Sequence, residues 1–221
     1  MIGPALAIAR KDLLAEFRSK QIITSTLIFS LVVVITFSIA LGDSSKNEDW
    51  LVPAVLWISF MFGGMMAISR SFTIEKDKNS LEGLLLAPMD RTAIYLGKVI
   101  SNLILMFIME IGIIIMVIVF FNYDVPLISF FPILILGTVG FVVVASLLSA
   151  LSINVKSSEH FLSLILFPIL WALIIPVITA TRAIFTGDDF SEITDELTVL
   201  LMYDIIFFTV SFAVFEFLVE D

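Results

Sequence analysis

Six long apolar runs constrain this chain more than any other feature of its sequence. Each run has about 20 or more mostly apolar residues, the length that a helix needs to cross a hydrocarbon core of about 30 Å. Their apolar character is continuous rather than alternating, which favours helices over half-buried strands. The sequence therefore predicts an all-α, polytopic membrane protein. Its six transmembrane helices are expected at about residues 22–41, 51–69, 96–121, 127–151, 161–181 and 197–219.

The composition supports a membrane protein and argues against several other classes. Of the 221 residues, 60% are apolar and 15% are charged, against about 45–50% and about 25% in soluble domains. A soluble enzyme of this size cannot hide so many apolar side chains in one core. The net charge of −9 argues against a nucleic-acid partner, because phosphate binding needs clustered basic residues. We interpret residues 1–221 as one transmembrane domain.

Basic residues are distributed unevenly between the two sides of the predicted spans. Ten of the 12 Lys and Arg residues lie in the leader, between residues 70 and 98, or at Lys156, and only Lys46 and Arg182 lie on the other side. Because cytoplasmic loops carry an excess of Lys and Arg, we expect both termini in the cytoplasm. The outer segments are acidic, and we interpret their carboxylates as a solvated surface rather than a calcium site.

The leader, residues 1–21, has an amphipathic pattern. Its apolar positions recur at helical spacing on one face, which suits a helix that lies in the cytoplasmic membrane interface. Two interpretations are open: a general membrane anchor with basic residues reaching the headgroups, and a surface that contacts a cytoplasmic partner. The apolar positions are Ile2, Leu6, Ala9, Leu13 and Phe17.

The cytoplasmic segment 70–95 predicts a short coupling helix. Ser80 can cap this helix and Pro88 ends it, while Leu81 and Leu85 share one of its faces. An apolar ridge between charged flanks can dock onto another protein. A helix that rests on lipid headgroups is the alternative.

The sequence contains no recognisable catalytic or nucleotide-binding motif. It has no Gly-x4-Gly-Lys-Ser/Thr phosphate loop, so the chain cannot use ATP by that route. With no Cys and one His, thiolate and paired-histidine metal sites within one chain are excluded. We therefore expect no catalytic residues, no metal and no cofactor held by this chain itself.

Three acidic residues fall within the predicted spans, where ionisable groups are costly and mark functional sites by default. Glu110 is expected near the midplane, Asp204 nearer the outer face and Glu216 near the cytoplasmic end. For Glu110 and Asp204, a carboxyl group hydrogen-bonded inside the bundle and a substrate or proton path are both open. His160, at the start of the fifth span, is either a polar helix start or an axial haem ligand.

Several short motifs follow one another along essentially the whole chain. They are residues 10–18, Trp57-Ile58-Ser59-Phe60, Ser69-Arg70-Ser71-Phe72, 81–88, Gly97-Lys98, Phe167-Pro168, Ile175-Pro176, Tyr203-Asp204 and Phe215-Glu216-Phe217. In this order and spacing they resemble the cytochrome c maturation permeases, the CcmB or haem exporter protein B family, within the broader ABC-2 type exporter permeases.

The resemblance implies a permease subunit in the inner membrane that works with a separate ATP-binding subunit, CcmA. It also implies the partners CcmC, CcmD and the haem chaperone CcmE, and a second copy of the chain in the complex. ATP hydrolysis then either moves haem or releases haem-loaded chaperone. The Trp-rich haem-handling motif of CcmC is missing here, which argues against a haem-binding site in this chain.

The resemblance also places ATPase coupling in the leader and in the segment after the second span. An ABC-2 exporter of a lipid, drug or glycan is one alternative, and an ion-coupled secondary transporter that uses Glu110 and Asp204 is another. The first and last three spans share no convincing similarity, which disfavours the repeats of many secondary transporters. The expected coupling residues are Arg10, Asp12, Glu16, Arg18, Arg70, Glu75, Leu81, Glu82, Leu85 and Pro88.

Overall fold

The computed structural model describes residues 2–41, 48–77, 91–154 and 159–218, and within these ranges the long elements are all helices. Six of the helices in the described ranges are long and apolar enough to cross a membrane. The prediction of an all-α, multi-pass membrane protein is confirmed. The helices are α1 (Ile2–Ser19), α2 (Gln21–Leu41), α3 (Glu48–Asp77), α4 (Arg91–Phe121), α5 (Leu127–Asn154), α6 (Glu159–Thr186) and α7 (Thr194–Leu218), with a 3₁₀ turn at Phe190–Ile193.

Several helices extend beyond the apolar runs that predicted them. α3 continues past residue 69 to Asp77, and α4 begins at Arg91 rather than near residue 96. On the side of the bundle opposite to these ends, α6 continues to Thr186 and α7 begins at Thr194. An apolar run marks only the part of a helix that the hydrocarbon requires to be apolar, and backbone hydrogen bonds continue through the polar residues that follow. The segment 70–95 is therefore partly an extension of α3 and α4.

α3 and α5 form the centre of the bundle, and α2 and α7 lie at its edge. α3 contacts α2, α4, α5 and α6, and its Leu56, Trp57 and Phe60 are at most 1% exposed. By contrast, α2 exposes Ile28 and α7 exposes Ile205, each by more than half of its surface. Apolar side chains that face outward on long spanning helices are suited to contact lipid.

α1 is a separate helix that packs back onto the bundle. Lys20, with a φ of 53°, is the single residue between α1 and α2 and turns the chain sharply. α1 then lies chiefly against α4, where Gly97 permits the close approach. A Cβ at Gly97 would lie 2.8 Å from the Ala5 carbonyl oxygen and 2.8 Å from the Ile8 Cβ. The position of α1 is thus set by backbone contact, and not only by an apolar stripe.

Candidate functional site

Lys98 is a buried cation where three helices meet. It lies near the start of α4, its side chain is 2% exposed, and its Nζ is 2.9 Å from Oδ2 of Asp12 on α1. The ammonium group also lies over the ring of Phe72 on α3, 5.3 Å from the ring centroid. Removing one partner of a buried ion pair leaves an uncompensated charge and is strongly destabilising. The pair therefore fixes α1 against α4.

Glu16 caps the N-terminus of α2. Its Oε1 accepts hydrogen bonds from the backbone amides of Ile22 at 2.8 Å and Ile23 at 3.0 Å. Ser19 Oγ donates to its Oε2 at 3.4 Å. The first amides of a helix lack partners within the helix, and the positive end of the helix dipole favours a carboxylate there. From a buried position, Glu16 ties α1 to α2.

The structure divides the four coupling residues expected on the leader into two pairs. Asp12 and Glu16 point into the bundle and make the contacts just described, whereas Arg10 and Arg18 are exposed on the opposite side of α1. The predicted apolar stripe is divided too. Ala9 is buried against the bundle, and Leu6 and Phe17 are about half exposed.

Lys98 is a residue whose structural role sequence reasoning missed. In the sequence it marks only the cytoplasmic side of a span, because nothing local says which acid it meets. The available signal was a lone cation close to the start of a long apolar run, with acids in the leader. A buried cation in that position needs an acidic partner. Its partner, Asp12, lies on a helix more than 80 residues earlier in the chain.

Glu110 on α4 is buried inside the bundle. It is 1% exposed, and the hydroxyl group of Thr138 on α5 donates a hydrogen bond of 2.6 Å to its Oε1. Its Oε2 has no hydrogen-bond partner among the described residues. The carboxyl group is therefore hydrogen-bonded inside the bundle and keeps one oxygen for a further donor.

Asp204 is buried on α7 against the backbone of α5. A Cβ at Gly140 would lie 2.5 Å from Asp204 Oδ1, and that oxygen has no hydrogen-bond partner within the described part of the chain. Gly140 is two residues from Thr138, a step of about 3 Å along a helix and about 200° around it. Glu110 and Asp204 thus approach α5 at similar depth from opposite sides, and no hydrogen bond joins them.

Polar and aromatic side chains join the beginning of α3 to the end of α6. The Arg182 guanidinium lies 4.0 Å from the centroid of the Trp50 ring, and Trp57 Nε1 donates to Thr181 Oγ1 at 2.8 Å. A cation over an indole face is favourable by about 0.5–2 kcal/mol. These contacts fasten α3 to α6 near the membrane boundary.

The remaining candidates lie at helix ends or outside the described residues. Arg70 is exposed on α3, Glu75 lies in the last turn of α3, His160 in the first turn of α6 and Glu216 in the last turn of α7. No group of three or more metal-ligating side chains occurs in the ranges that the structure describes. Leu81, Glu82, Leu85 and Pro88 lie outside those ranges.

The helices and their buried contacts define a polytopic α-helical membrane protein whose leader helix is fastened to the bundle by an ion pair and a helix cap. The family model described as CcmB protein matches residues 4–217 of this sequence. The match covers nearly the whole chain, and the chain belongs to the CcmB family.

Curated relatives share a shorter region with this chain. Proteins named heme exporter protein B from Escherichia coli strain K12 and from Shigella flexneri are each 28% identical to it over 95 residues, which is 43% of this chain and 43% of theirs. The protein of the same name from Pseudomonas aeruginosa is 25% identical over 98 residues, 44% of either chain. The aligned region thus spans less than half the length of the curated relatives that it matches.

Proposed function

We propose that this chain is the transmembrane permease subunit of an ABC-type complex that exports haem, or releases haem-loaded chaperone, during c-type cytochrome maturation. The observation that carries the proposal is membership of the CcmB family over residues 4–217, together with relatives named heme exporter protein B. The sequence lacks a phosphate loop, so ATP hydrolysis belongs to a separate subunit. The chain itself is a permease and not an enzyme.

The orientation in the membrane follows from the basic residues. We propose one permease domain, residues 1–221, in the inner membrane, with both termini in the cytoplasm. The uneven distribution of Lys and Arg supports this orientation. Six candidate spans lie among the described residues, and an even number of spans brings both termini to the same side. The leader and the segment between α3 and α4 then face the ATPase.

The partners of the proposed complex are a CcmA-like ATPase and CcmC-, CcmD- and CcmE-like proteins, with a second copy of this chain. The ATPase docks at the end of α3, through Arg70 and Glu75, and at residues 81–88. Asp12 and Glu16 contribute differently from what their sequence positions suggested. Their contacts with α4 and α2 make α1 move together with α4, the helix that follows the docking segment, and with α2.

Co-purification with the ATPase tests the docking segment. Glu82→Lys with Leu85→Lys reverses a charge and removes an apolar anchor, so the variant should lose most of the bound ATPase and the ATP hydrolysis that accompanies it. Glu192→Lys, an exposed charge reversal near the 3₁₀ turn, is the control and should retain both. Undiminished ATPase binding and activity in the double variant would remove the docking assignment.

A further inference from the structure

Three different surfaces run along α1. At 100° per residue, Ala5, Ile8, Ala9, Asp12 and Glu16 form one face, and all of them are buried or partly buried against the bundle. Beside this face lies an apolar edge with Leu6 and Phe17, which are 53% and 49% exposed. The third surface carries the exposed Arg10, Leu14 and Arg18, each one turn from the next, with Ala7, Lys11 and Ala15 beside them.

The orientation of these surfaces is fixed rather than free. The ion pair between Asp12 and Lys98, the cap that Glu16 provides for α2, and the close approach at Gly97 all hold the same face of α1 inward. Both acids of α1, Asp12 and Glu16, take part in these contacts. Arg10 and Arg18 lie on the outward surface, on the far side of the helix from both acids, while Lys11 at its edge is paired with Asp12 at 3.1 Å.

α1 is also held beside the bilayer. Only Lys20 separates it from α2, whose membrane-spanning stretch begins at Gln21. On α4 it contacts Gly97 and Lys98, near the start of the apolar stretch Thr92–Phe121. The half-exposed Leu6 and Phe17 are therefore placed to meet acyl chains, and the neighbouring arginines to meet headgroups.

We propose that the outward surface of α1 binds an anionic phospholipid headgroup between Arg10 and Arg18. The two arginines lie two turns apart on the same side of the helix, above and below Leu14. A shallow, open depression on this surface is bordered, among the described residues, by Ala7, Arg10, Lys11, Leu14, Ala15 and Arg18. The alanines leave room for a phosphate, the guanidinium groups donate to it, and Leu14 contacts the first acyl carbons.

The proposal assigns Arg10 and Arg18 to lipid instead of the ATPase contact that the sequence predicted for them. Charge complementarity supports it, because the occupant must be anionic and the bilayer is already adjacent. Bound headgroups would hold α1 in the membrane plane throughout the transport cycle. The lipid site does not depend on which substrate is transported, so an experiment that tests the site does not test the proposed function.

Native mass spectrometry of the purified full chain tests the site directly. The chain is extracted gently and titrated with phosphatidylglycerol, and with phosphatidylcholine as the zwitterionic comparison. A basic residue near the surface is worth about 1 kcal/mol of attraction to anionic lipid. Arg10→Gln with Arg18→Gln should therefore weaken phosphatidylglycerol binding by about 30-fold and leave phosphatidylcholine binding unchanged.

Two further variants identify the source of the effect. Arg10→Lys with Arg18→Lys keeps the charges and should retain most of the binding. Arg70→Gln removes an exposed arginine from α3 and should leave phosphatidylglycerol binding unchanged, whatever it does to the ATPase contact. Equal phosphatidylglycerol binding in the wild type and the double Gln variant would overturn the proposal. Unchanged lipid binding with loss of the bound ATPase would overturn it in favour of an acidic protein surface.

Discussion

The buried acids of the leader and those of the membrane spans are held in different ways. Asp12 meets a lysine, and Glu16 accepts from two backbone amides. Glu110 has one threonine hydroxyl group, and Asp204 Oδ1 has no hydrogen-bond partner among the described residues. The leader acids connect helices near the membrane boundary. Each span acid has an oxygen atom without a hydrogen-bond partner among the described residues, and ionisable groups inside a membrane are functional candidates by default.

Removing one charge of the boundary ion pair should give the largest effect on stability. Lys98→Met removes the buried cation and leaves Asp12 with the half-exposed Lys11, 3.1 Å away, so the free energy of unfolding should fall by about 3 kcal/mol, the lower end of the range for a broken buried pair. Thermal unfolding in detergent, followed by size-exclusion chromatography, measures the loss. Asp12→Leu combined with Lys98→Met removes both charges and should recover much of the stability. A single variant as stable as the wild type would show that the pair does not hold α1.

Loss of the Glu16 carboxylate should have a smaller and more local effect. Glu16→Ala removes the cap of α2 and should cost about 1 kcal/mol, with faster hydrogen exchange of the Ile22 and Ile23 amides. Glu192→Ala, at an exposed acid, is the matched control. Unchanged exchange of these two amides in Glu16→Ala would contradict the cap.

The midplane contact should contribute least to stability. Thr138→Val removes the donor to Glu110 and should cost about 0.6 kcal/mol, the average for hydrogen bonds between membrane helices. Thr138→Ser keeps the hydroxyl group and should match the wild type. Glu110→Gln keeps an acceptor for Thr138, so it should preserve stability while reducing ATP-driven transport. If Glu110→Gln destabilises the bundle as strongly as Lys98→Met, the two regions do not differ in the way described.

The sequence predicted the parts of this fold that depend on composition along the chain. Long apolar runs located the six candidate spans of the described residues, and the position of Glu110 within such a run placed it far from both ends of its helix. Polar extensions such as the end of α3 at Asp77 were missed. The length of an apolar run reflects the thickness of the hydrocarbon core and not the full length of the helix.

Contacts between distant elements could not be predicted in the same way. An amphipathic stripe placed Leu6, Ala9 and Phe17 together on the leader, yet α1 is oriented by Gly97 and Lys98 of another helix. The same orientation decides that Asp12 and Glu16 face inward while Arg10 and Arg18 face outward. Helical periodicity gives the angular position of each residue around α1, but it does not show which side of α1 packs against the bundle.

The central claim is that this chain is a permease subunit driven by a separate ATPase. Gentle detergent extraction of the native complex, with identification of every subunit and assay of ATP hydrolysis, tests it most directly. We expect an ATP-hydrolysing subunit to remain bound, and hydrolysis to disappear when that subunit is removed. A chain that purifies without any ATPase, and that alone in liposomes supports flux driven by an ion gradient, would contradict the account.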